Sequence, residues 1–330
     1  MANPTLIPTY DIKNCGPRQQ FWANGLIVHN CDGINLQNLP RGSKHRLALS
    51  TPPGYKCYVS DLSAIEARMG AWRAGQWDLV EDFRNGVDIY SNFSSEVVFH
   101  YPVSKETKTE RMVGKVCILG LGYGMGWKTF QRTLQSGPMG ADPIPCTDEF
   151  ARKCVQGYRE RYPMIAQGWK VAEAMIVQMT DPNCNIEWGP LHVLHNCIRI
   201  PNGLFLSYPG LRQYVVEHAE GVDVGYEYWN GKFWKKTYGG LLVENITQCL
   251  AGLVIKQSMN DVDQWLQQHG LGQVVLQVHD EIIIVAKDND PRFSPDDIQA
   301  KIQELMRVTP DWCEGLPLDC EGGYADEYSK

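Results

Sequence analysis

The sequence predicts a mixed α+β protein, because segments with strand periodicity and segments with helix periodicity both recur along the chain. Three segments carry this prediction. Residues 58–68 read as a strand, a turn and a helix entry, and residues 243–270 have the apolar spacing of one long helix. Residues 274–285 form two apolar runs around a short polar tip, which is the pattern of a β-hairpin.

Length and composition are those of a globular chain. With 330 residues, it is long enough for two or three subdomains. The net charge of −7 does not indicate nucleic-acid binding. It does not exclude such binding either, because basic groups can be confined to one groove. The eleven cysteines show no close CxxC pairing, and we find no export signal or membrane-spanning apolar run. We therefore expect reduced thiols, a cytoplasmic location (the host cytoplasm if the gene is a phage gene) and no membrane partner.

The first thirty-one residues end in a tripeptide with its own chemistry, His29-Asn30-Cys31. An Asn side-chain amide can attack its own carbonyl carbon and cleave the following peptide bond, and a neighbouring His can protonate the leaving group. A Cys after that bond can act as an acyl acceptor. An Asn24-Gly25 turn and the apolar run 26–28 precede the tripeptide, whereas the second copy at 195–197 lacks both, and we interpret that copy as chance or packing. The alternative for the first copy is a hairpin arm without chemistry.

This segment closely resembles the C-terminal fragment of a split intein. The resemblance implies that Asn30 cyclises, that His29 assists, and that Cys31 is the first residue of the ligated product. Asp11 falls where many inteins carry an Asp that assists the first acyl shift, while Gln19 stands where inteins often have a His. It also implies a partner chain that carries the intein N-terminal fragment.

In the strand-turn-helix segment, Asp61 stands at the junction of the strand and the helix. Ile65, Met69 and Trp72 follow at helical spacing and give the helix an apolar face. By itself, Asp61 is more typical of a carboxylate near a helix N-terminus, where the helix dipole favours it.

A second helix is predicted to present four residues spaced four apart: Arg111, Lys115, Leu119 and Tyr123. Two cations, an apolar group and an aromatic ring on one face suit a nucleoside triphosphate. The alternative is a solvated charged turn followed by a core stripe. Glycines at 120, 122, 124 and 126 are expected to weaken the helix there.

The rest of the chain supplies three expectations. Residues 137–235 are predicted to form several amphipathic helices. Gln248 lies off the apolar face of the long helix, where it can face a groove. The hairpin tip is His279-Asp280-Glu281, and ionisable groups between buried strands are costly unless they serve a metal or another partner. A plain turn is the alternative for this tip.

Together, the strand-end Asp, the Arg-x3-Lys-x3-Leu-x3-Tyr-Gly helix and the Val-His-Asp-Glu hairpin resemble motifs A, B and C of the family A DNA polymerases. The run 35–41 resembles the segment before motif A, and the run 238–248 resembles the phage branch. The resemblance covers residues 31 to about 328 and implies the palm and fingers of a right hand. The implied divisions are residues 1–30 as intein fragment, 31–84 as first part of the palm, 85–235 as fingers, and 236–330 as second part of the palm.

The resemblance also implies roles for single residues. Asp61 and Asp280, with the Leu62 backbone carbonyl, hold two Mg²⁺ ions (Mn²⁺ is an alternative), and Glu281 supports them. The residues implied to bind the dNTP are Arg111, Lys115, Leu119, Tyr123, Tyr90 and Glu66, the last as the steric gate against a 2′-hydroxyl. The residues implied to contact DNA are Gln248, His279, Asn35, Gln37 and Asn38. Three of these residues differ from the usual ones. Leu119 stands where the family usually has Phe, or Tyr in some phage enzymes. Tyr90 replaces a His, and Leu62 replaces a Tyr.

The function implied is addition of dNTPs to the primer 3′-hydroxyl of a primer–template DNA, after splicing joins residues 31–330 to an N-terminal polymerase half. We expect the thumb to belong to that half and this chain alone to have very little activity. One alternative is a single-subunit RNA polymerase, which Glu66 disfavours because such enzymes need room for the ribose hydroxyl. The other is a non-catalytic DNA-binding remnant whose only chemistry is splicing.

Overall fold

The computed structural model describes residues 20–23, 26–29, 49–218 and 221–328, with the backbone alone at 20–23, 26–29, 217, 218 and 223. In chain order, the α-helices are α1 Ile65–Ala74, α2 Trp77–Arg84, α3 Ile89–Phe93, α4 Lys108–Leu121, α5 Trp127–Gln135, α6 Asp148–Arg161, α7 Pro163–Gln178, α8 Gly239–His269 and α9 Pro295–Met306. A π-helical turn, Ser94–Phe99, extends α3.

The strands of the described residues fall into four antiparallel sheets. They are β1 Gln20–Ala23, β2 Leu26–His29, β3 Tyr55–Leu62, β4 Asn185–Trp188, β5 Leu191–Leu194, β6 Cys197–Arg199, β7 Phe205–Ser207, β8 Arg212–His218, β9 Gly221–Trp229, β10 Trp234–Thr237, β11 Gly272–Val278, β12 Glu281–Lys287 and β13 Cys320–Ala325. The sheets are β1-β2, β4-β5-β6-β7, β10-β9-β8 and β11-β12-β3-β13.

The sheet β11-β12-β3-β13 organises the larger core. Alternate residues of its central strands point to opposite faces. Tyr58, Ile282 and Ile284 are buried on the face that α8 and α9 cover, while Val59 and Ile283 belong to a small cluster on the other face. One sheet face packed against two helices fixes the register of β3 and β12, since a one-residue slip would expose the whole apolar set.

A second core is helical. It is built by α2 to α6 and includes Leu79, Phe93, Leu121 and Phe130. Helix α7 joins the two cores: Ile165 near its start is buried in the helical core, whereas Ala172 and Ile176 are buried in the sheet core. The strands β4 to β6 also contribute to the sheet core, through residues such as Val193 and Ile198.

The helical prediction for 137–235 is correct only for its first part. Helices end at residue 178, and residues 185–237 form the seven strands β4 to β10. One physical reason lies in the turn residues: Gly189-Pro190, Pro201-Asn202-Gly203 and Pro209-Gly210 leave only ten and five residues between them, too few for stable helices. The longer segment 211–229 is rich in Val, Tyr and Trp, which favour strands.

Other predicted elements are confirmed, with shifted ends. The helix predicted from 243–245 begins four residues earlier, at Gly239, and ends at His269 as expected. The hairpin at 274–285 is present as β11 and β12. At the N-terminus, β1 and β2 pair with Ala23 opposite Leu26.

Two findings concern the cysteines and the apolar segments of the described chain. The nine cysteines of the described residues are free thiols. No described helix combines the length and the apolar character needed to cross a membrane.

Candidate active site

The end of β3 and the tip of the β11–β12 hairpin meet at one edge of the central sheet. Glu281 lies opposite Asp61 in the β12–β3 register. The Leu62 N–H donates a hydrogen bond of 3.0 Å to the Asp280 carbonyl, just before β12 begins. Asp61 and Asp280, far apart in sequence, are therefore placed beside each other by strand pairing.

Glu281 is the most buried carboxylate of this group, with 8% of its surface exposed. Its Oε1 accepts a hydrogen bond from the Tyr328 hydroxyl. Tyr328 is itself buried, and its N–H donates to the Leu49 carbonyl at 2.9 Å. The last described residue of the chain thus holds a carboxylate next to the site.

Arg68 fixes the turn that follows Asp61. Ala64 has a left-handed backbone (φ 52°), which a residue with a Cβ adopts only when its surroundings enforce it. The buried Arg68 guanidinium donates to the Ser63 carbonyl at 2.7 Å and to the Pro317 carbonyl at 3.2 Å. These bonds set the direction in which α1 leaves the sheet, and with it the position of Glu66.

Helix α4 carries two of the predicted triphosphate ligands beside Tyr90. The Arg111 guanidinium carbon lies 5.2 Å and the Lys115 Nζ 6.0 Å from the centre of the Tyr90 ring. Burial raises the pKa of Tyr90. The positive charge of Arg111 lowers this pKa, whereas the negative charges of Asp88 and Asp280 raise it. Both cations of α4 therefore lie close to one partly buried aromatic ring.

Arg111 is held by Asp88 in a two-point ion pair. The distances are 2.7 Å from Nε to Oδ2 and 3.1 Å from Nη2 to Oδ1. Burial raises the pKa of Asp88, but hydrogen bonds from Arg111 and Ser91 outweigh it, and the pKa lies below its ordinary 3.8. Asp88 also caps the start of α3 by accepting from the Ser91 N–H. It stays ionised in neutral solution and neutralises Arg111.

Close packing of α3 on α4 depends on Gly114. A Cβ at this position would lie 2.1 Å from the Tyr90 carbonyl oxygen and 2.5 Å from the Ser94 hydroxyl. Any side chain here would push the helices apart. The glycine thus allows α4 to bring its cations to Tyr90.

The hydroxyl of Tyr123 donates a hydrogen bond of 2.9 Å to Glu66. Burial raises the pKa of Tyr123, and the Glu66 carboxylate raises it further, so the hydroxyl remains a donor. Tyr123 lies beyond the end of α4 at Leu121, in the turn that the glycines were expected to cause, and not on the helix face itself. With Leu119, the pair lines a cavity of about 190 Å³ between α1, α4 and α7.

The glycines at the start of α8 allow close packing against the turn at Tyr123. A Cβ on Gly240 would lie 2.3 Å from the Tyr123 carbonyl oxygen, and one on Gly239 would lie 2.0 Å from that of Trp169. The Trp169 indole N–H in turn donates to the Gly122 carbonyl at 2.8 Å. The Tyr-Gly-Gly run is therefore a packing requirement of the Tyr123 turn.

Gln248 and His279 both face solvent. Gln248 is exposed on α8, off its buried face, as expected. His279 is the first residue of the two-residue hairpin loop and has φ 57°, as primed hairpin turns require. The remaining predicted residues are not placed: Asp11, Asn30, Cys31, Asn35, Gln37 and Asn38 lie outside the described residues, and of His29 only the strand is described.

The donor chemistry at the sheet edge fits Mg²⁺. Two carboxylates and a backbone carbonyl at residues 61, 62 and 280 are oxygen ligands, which hard cations prefer. In the described part of the chain, no group of three His, Cys, Asp or Glu side chains is arranged to hold a metal ion. Mg²⁺ does not require such a cage, because it usually binds through one or two carboxylates together with substrate phosphates.

Three residues that shape this site were not assigned roles from the sequence. Arg68, Asp88 and Tyr328 act through partners 5, 23 and 47 positions away in sequence. Only Asp88 had a local signal, as the residue that opens the short helix carrying Tyr90.

Comparison with known proteins places this geometry in a family context. Residues 28–179 match the family model for DNA polymerase family A. A DNA polymerase of Bacillus phage SP02 is 29% identical over 300 residues, covering 86% of this chain and 43% of that protein. DNA polymerase I of Pseudomonas aeruginosa is 27% identical over 261 residues, covering 77% of this chain and 24% of that protein. The chain thus spans less than half the length of these relatives.

A solved structure shares the fold. The POL domain of Pol1 from M. smegmatis, in complex with DNA primer-template and dNTP, superposes with a TM-score of 0.59 at 19% identity. The match covers 89% of this chain and 44% of the other. It confirms the predicted mixed α/β polymerase fold. The family match covers residues 28–179, somewhat less than half of the chain, so the chain is similar to DNA polymerase family A over that part and shares the fold of the POL domain.

Proposed function

We propose that this chain supplies the palm and fingers of a template-directed DNA polymerase, which adds dNTPs to a primer 3′-hydroxyl. The observation that carries the proposal is the meeting of Asp61 and Asp280 at one edge of the sheet. Phosphoryl transfer needs little more from the protein than positioning and charge. Paired carboxylates near two cations of a neighbouring helix are a suitable arrangement for it.

Asp61, Asp280 and the Leu62 carbonyl would hold Mg²⁺, with Mn²⁺ as an alternative. When bound, such ions lower the pKa of the attacking hydroxyl and stabilise the charge on the departing pyrophosphate. Glu281 and its Tyr328 partner keep the end of β12 in place beside Asp61.

Arg111 and Lys115 bind the triphosphate in this proposal. Tyr90 lies close to both charged groups, at 5.2 and 6.0 Å from its ring centre, and packs against the nucleotide phosphates or sugar. Arg111 reaches the phosphates by giving up, or sharing, its ion pair with Asp88. Binding of the nucleotide is therefore coupled to the packing of α3 against α4.

Glu66 selects the sugar. The hydrogen bond from Tyr123 fixes the carboxylate beside Leu119, where a ribose 2′-hydroxyl would meet it. Gln248 and His279, both exposed, contact the primer terminus and the adjacent duplex. This selection favours a DNA polymerase over a single-subunit RNA polymerase.

Residues 1–30 act as the C-terminal fragment of a split intein. Asn30 cyclises with help from His29, Cys31 accepts the acyl group, and residues 31–330 are joined to an N-terminal polymerase half. The proposed divisions remain 31–84 and 236–330 for the palm and 85–235 for the fingers. The partner supplies the thumb.

The test is nucleotide incorporation by the assembled protein on a primer–template. We expect dNTP-dependent extension that is lost in Asp61→Ala and Asp280→Ala, with DNA binding retained. Preference for ribonucleotides would select the RNA polymerase alternative, and unchanged activity in both variants would select the non-catalytic remnant. On co-expression with the partner half, a ligated product that retains residues 1–30 while Asn30 is intact would contradict the splicing part.

A further inference from the structure

The sheet β10-β9-β8 gathers aromatic and cationic side chains on one face. Residues that pair across antiparallel strands, and residues two apart on a strand, share a face. Arg212 pairs with Glu227, Glu227 pairs with Lys236, and Trp229 pairs with Trp234. We call the set Arg212, Tyr214, Trp229, Trp234 and Lys236 the aromatic–cationic face.

Rings and cations alternate across this face. The Arg212 guanidinium carbon lies 3.5 Å from the centre of the Trp234 ring, and the Lys236 Nζ lies 4.5 Å from that of Tyr214. Trp229 and Trp234 meet edge-on at 5.7 Å and 61°. A Cβ on Gly225 would lie within 2.9 Å of the Tyr214 ring, which therefore lies flat on the sheet. The rings are held in fixed orientations.

These rings are nevertheless open to solvent. Trp229 is 40% and Trp234 37% exposed, and Phe233 in the β9–β10 loop is 58% exposed. Exposed Trp and Phe beside cations are unusual on a surface without a partner. Bases of a single strand stack on such rings irrespective of sequence, and nearby cations bind the phosphates.

Local charge favours a polyanion. Arg212 is neutralised by Glu227 at 2.8 Å. At the end of the face that holds Trp229 and Trp234, the three cations Arg212, Lys236 and the loop residue Lys232 outnumber the one carboxylate, Glu227. This end of the face therefore has an excess of positive charge, although the whole chain has a net charge of −7.

The opposite face of this sheet rests beside the helix that carries Gln248. Tyr228 alternates with Trp229 on β9 and packs edge-on against Tyr208 at 5.0 Å, and the Tyr208 hydroxyl accepts from the Asn245 side chain at 3.1 Å. Asn245 stands three residues before Gln248 on α8, so the two are neighbours on the helix surface. These contacts anchor the sheet beside α8 and leave the aromatic–cationic face open.

We propose that the aromatic–cationic face, with Phe233, binds single-stranded DNA by base stacking and holds the unpaired template outside the duplex. This inference rests on the proposed polymerase function, because the template overhang is the occupant it names. The aromatic rings of the face stack on the bases, and its cations contact the phosphates.

The experiment measures binding of the full chain to a fluorescent oligo-dT of about 12 nucleotides, within the site size of such surfaces, by anisotropy. Trp234→Leu is expected to weaken binding roughly tenfold, the loss of about one stacked base. Lys236→Gln is expected to reduce the slope of log affinity against log salt by about 0.7, the value for one phosphate contact on a single strand. Val215→Thr is the matched control, because Val215 is exposed on the opposite face of β8. This variant should bind oligo-dT with an affinity within twofold of wild type.

Phe233→Ser guards against misfolding of Trp234→Leu, because Phe233 lies in an exposed loop and supports no core. Unchanged oligo-dT affinity in both variants would overturn the proposal. So would equal weakening of blunt duplex binding, or unchanged DNA binding with lost association of the N-terminal half, which would make this face a protein interface. The assay requires no nucleotide incorporation, so extension by Asp280→Asn tests the polymerase function separately.

Discussion

The ion pair between Asp88 and Arg111 leads to an unusual expectation, that removing a charge beside the site tightens nucleotide binding. If Arg111 binds the triphosphate, then Asp88 competes with the phosphates for the same guanidinium. Asp88→Asn keeps the helix cap, since Asn caps as well as Asp, but removes the competing charge. The variant should therefore bind dNTP more tightly while folding less stably.

The size of the effect follows from the geometry of the pair. Both side chains are about a quarter exposed, 28% for Arg111 and 25% for Asp88. Charged hydrogen bonds contribute about 1.5–3 kcal/mol and exposed pairs about 0.2–1 kcal/mol, so a partly exposed two-point pair should contribute about 1–2 kcal/mol. Since the amide still accepts one bond, we expect a net gain of about 1 kcal/mol, roughly fivefold in apparent Kd.

Single-turnover incorporation against dNTP concentration, with the assembled enzyme, gives this apparent Kd. Asp78→Asn is the control, because Asp78 forms a comparable pair with Arg161 on the helical core. It should lose stability and leave the apparent Kd unchanged. An apparent Kd that is unchanged or higher in Asp88→Asn would refute Arg111 as a phosphate ligand that Asp88 restrains.

The same pair predicts a pH dependence of stability. The pKa of Asp88 is depressed in the folded chain, so its stabilisation is complete above the unfolded value of 3.8. It is lost as the pH falls through the lower folded pKa. In urea unfolding of this chain, the difference in the free energy of unfolding between wild type and Asp88→Asn should become smaller as the pH is lowered from 5 to about 3. A difference in this free energy that stays constant over the range would contradict the prediction.

Three further predictions concern single residues. Glu66→Ala should raise ribonucleotide incorporation relative to deoxynucleotide, whereas an unchanged ratio on a DNA template would remove Glu66 as the gate. Gly114→Ala should destabilise this chain by about 1–3 kcal/mol in urea unfolding, because its Cβ meets the Tyr90 carbonyl, while Gly252→Ala, with open space around it, should be neutral or stabilising. Asn30→Ala should leave residues 1–30 attached to the chain on a denaturing gel, and their release from this variant would count against Asn cyclisation.

How much the sequence predicted depended on how local each signal was. The strand end at Asp61 and the hairpin tip at Asp280 were predictable, because apolar periodicity and turn residues mark both segments within about ten positions. Their proximity came from the family resemblance and is seen in the β12–β3 register. The end of α4 before Tyr123 was also foreseeable from its glycines.

The remaining features depend on contacts between distant segments. No local pattern links Asp88 to Arg111, or Tyr328 to Glu281, since each pair forms only after the chain has folded. The strands at 185–237 were misread because short apolar–polar runs fit both periodicities. There, the spacing of the Gly, Pro and Asn turns was the better signal.

The central claim is that Asp61 and Asp280 act on the reaction as one unit. A double-variant cycle measures this directly: single-turnover dNTP incorporation by the assembled enzyme with Asp61→Asn, Asp280→Asn and both. We expect each single variant to be slower by roughly 10³-fold or more, and the double variant to be no slower than the worse single one, since groups that act as a unit are strongly non-additive. Glu321→Gln is the matched control, because Glu321 lies opposite Asp61 on β13 and is exposed; it should remain active. Independent, additive losses in the double variant, or extension that survives either single change, would contradict a shared site.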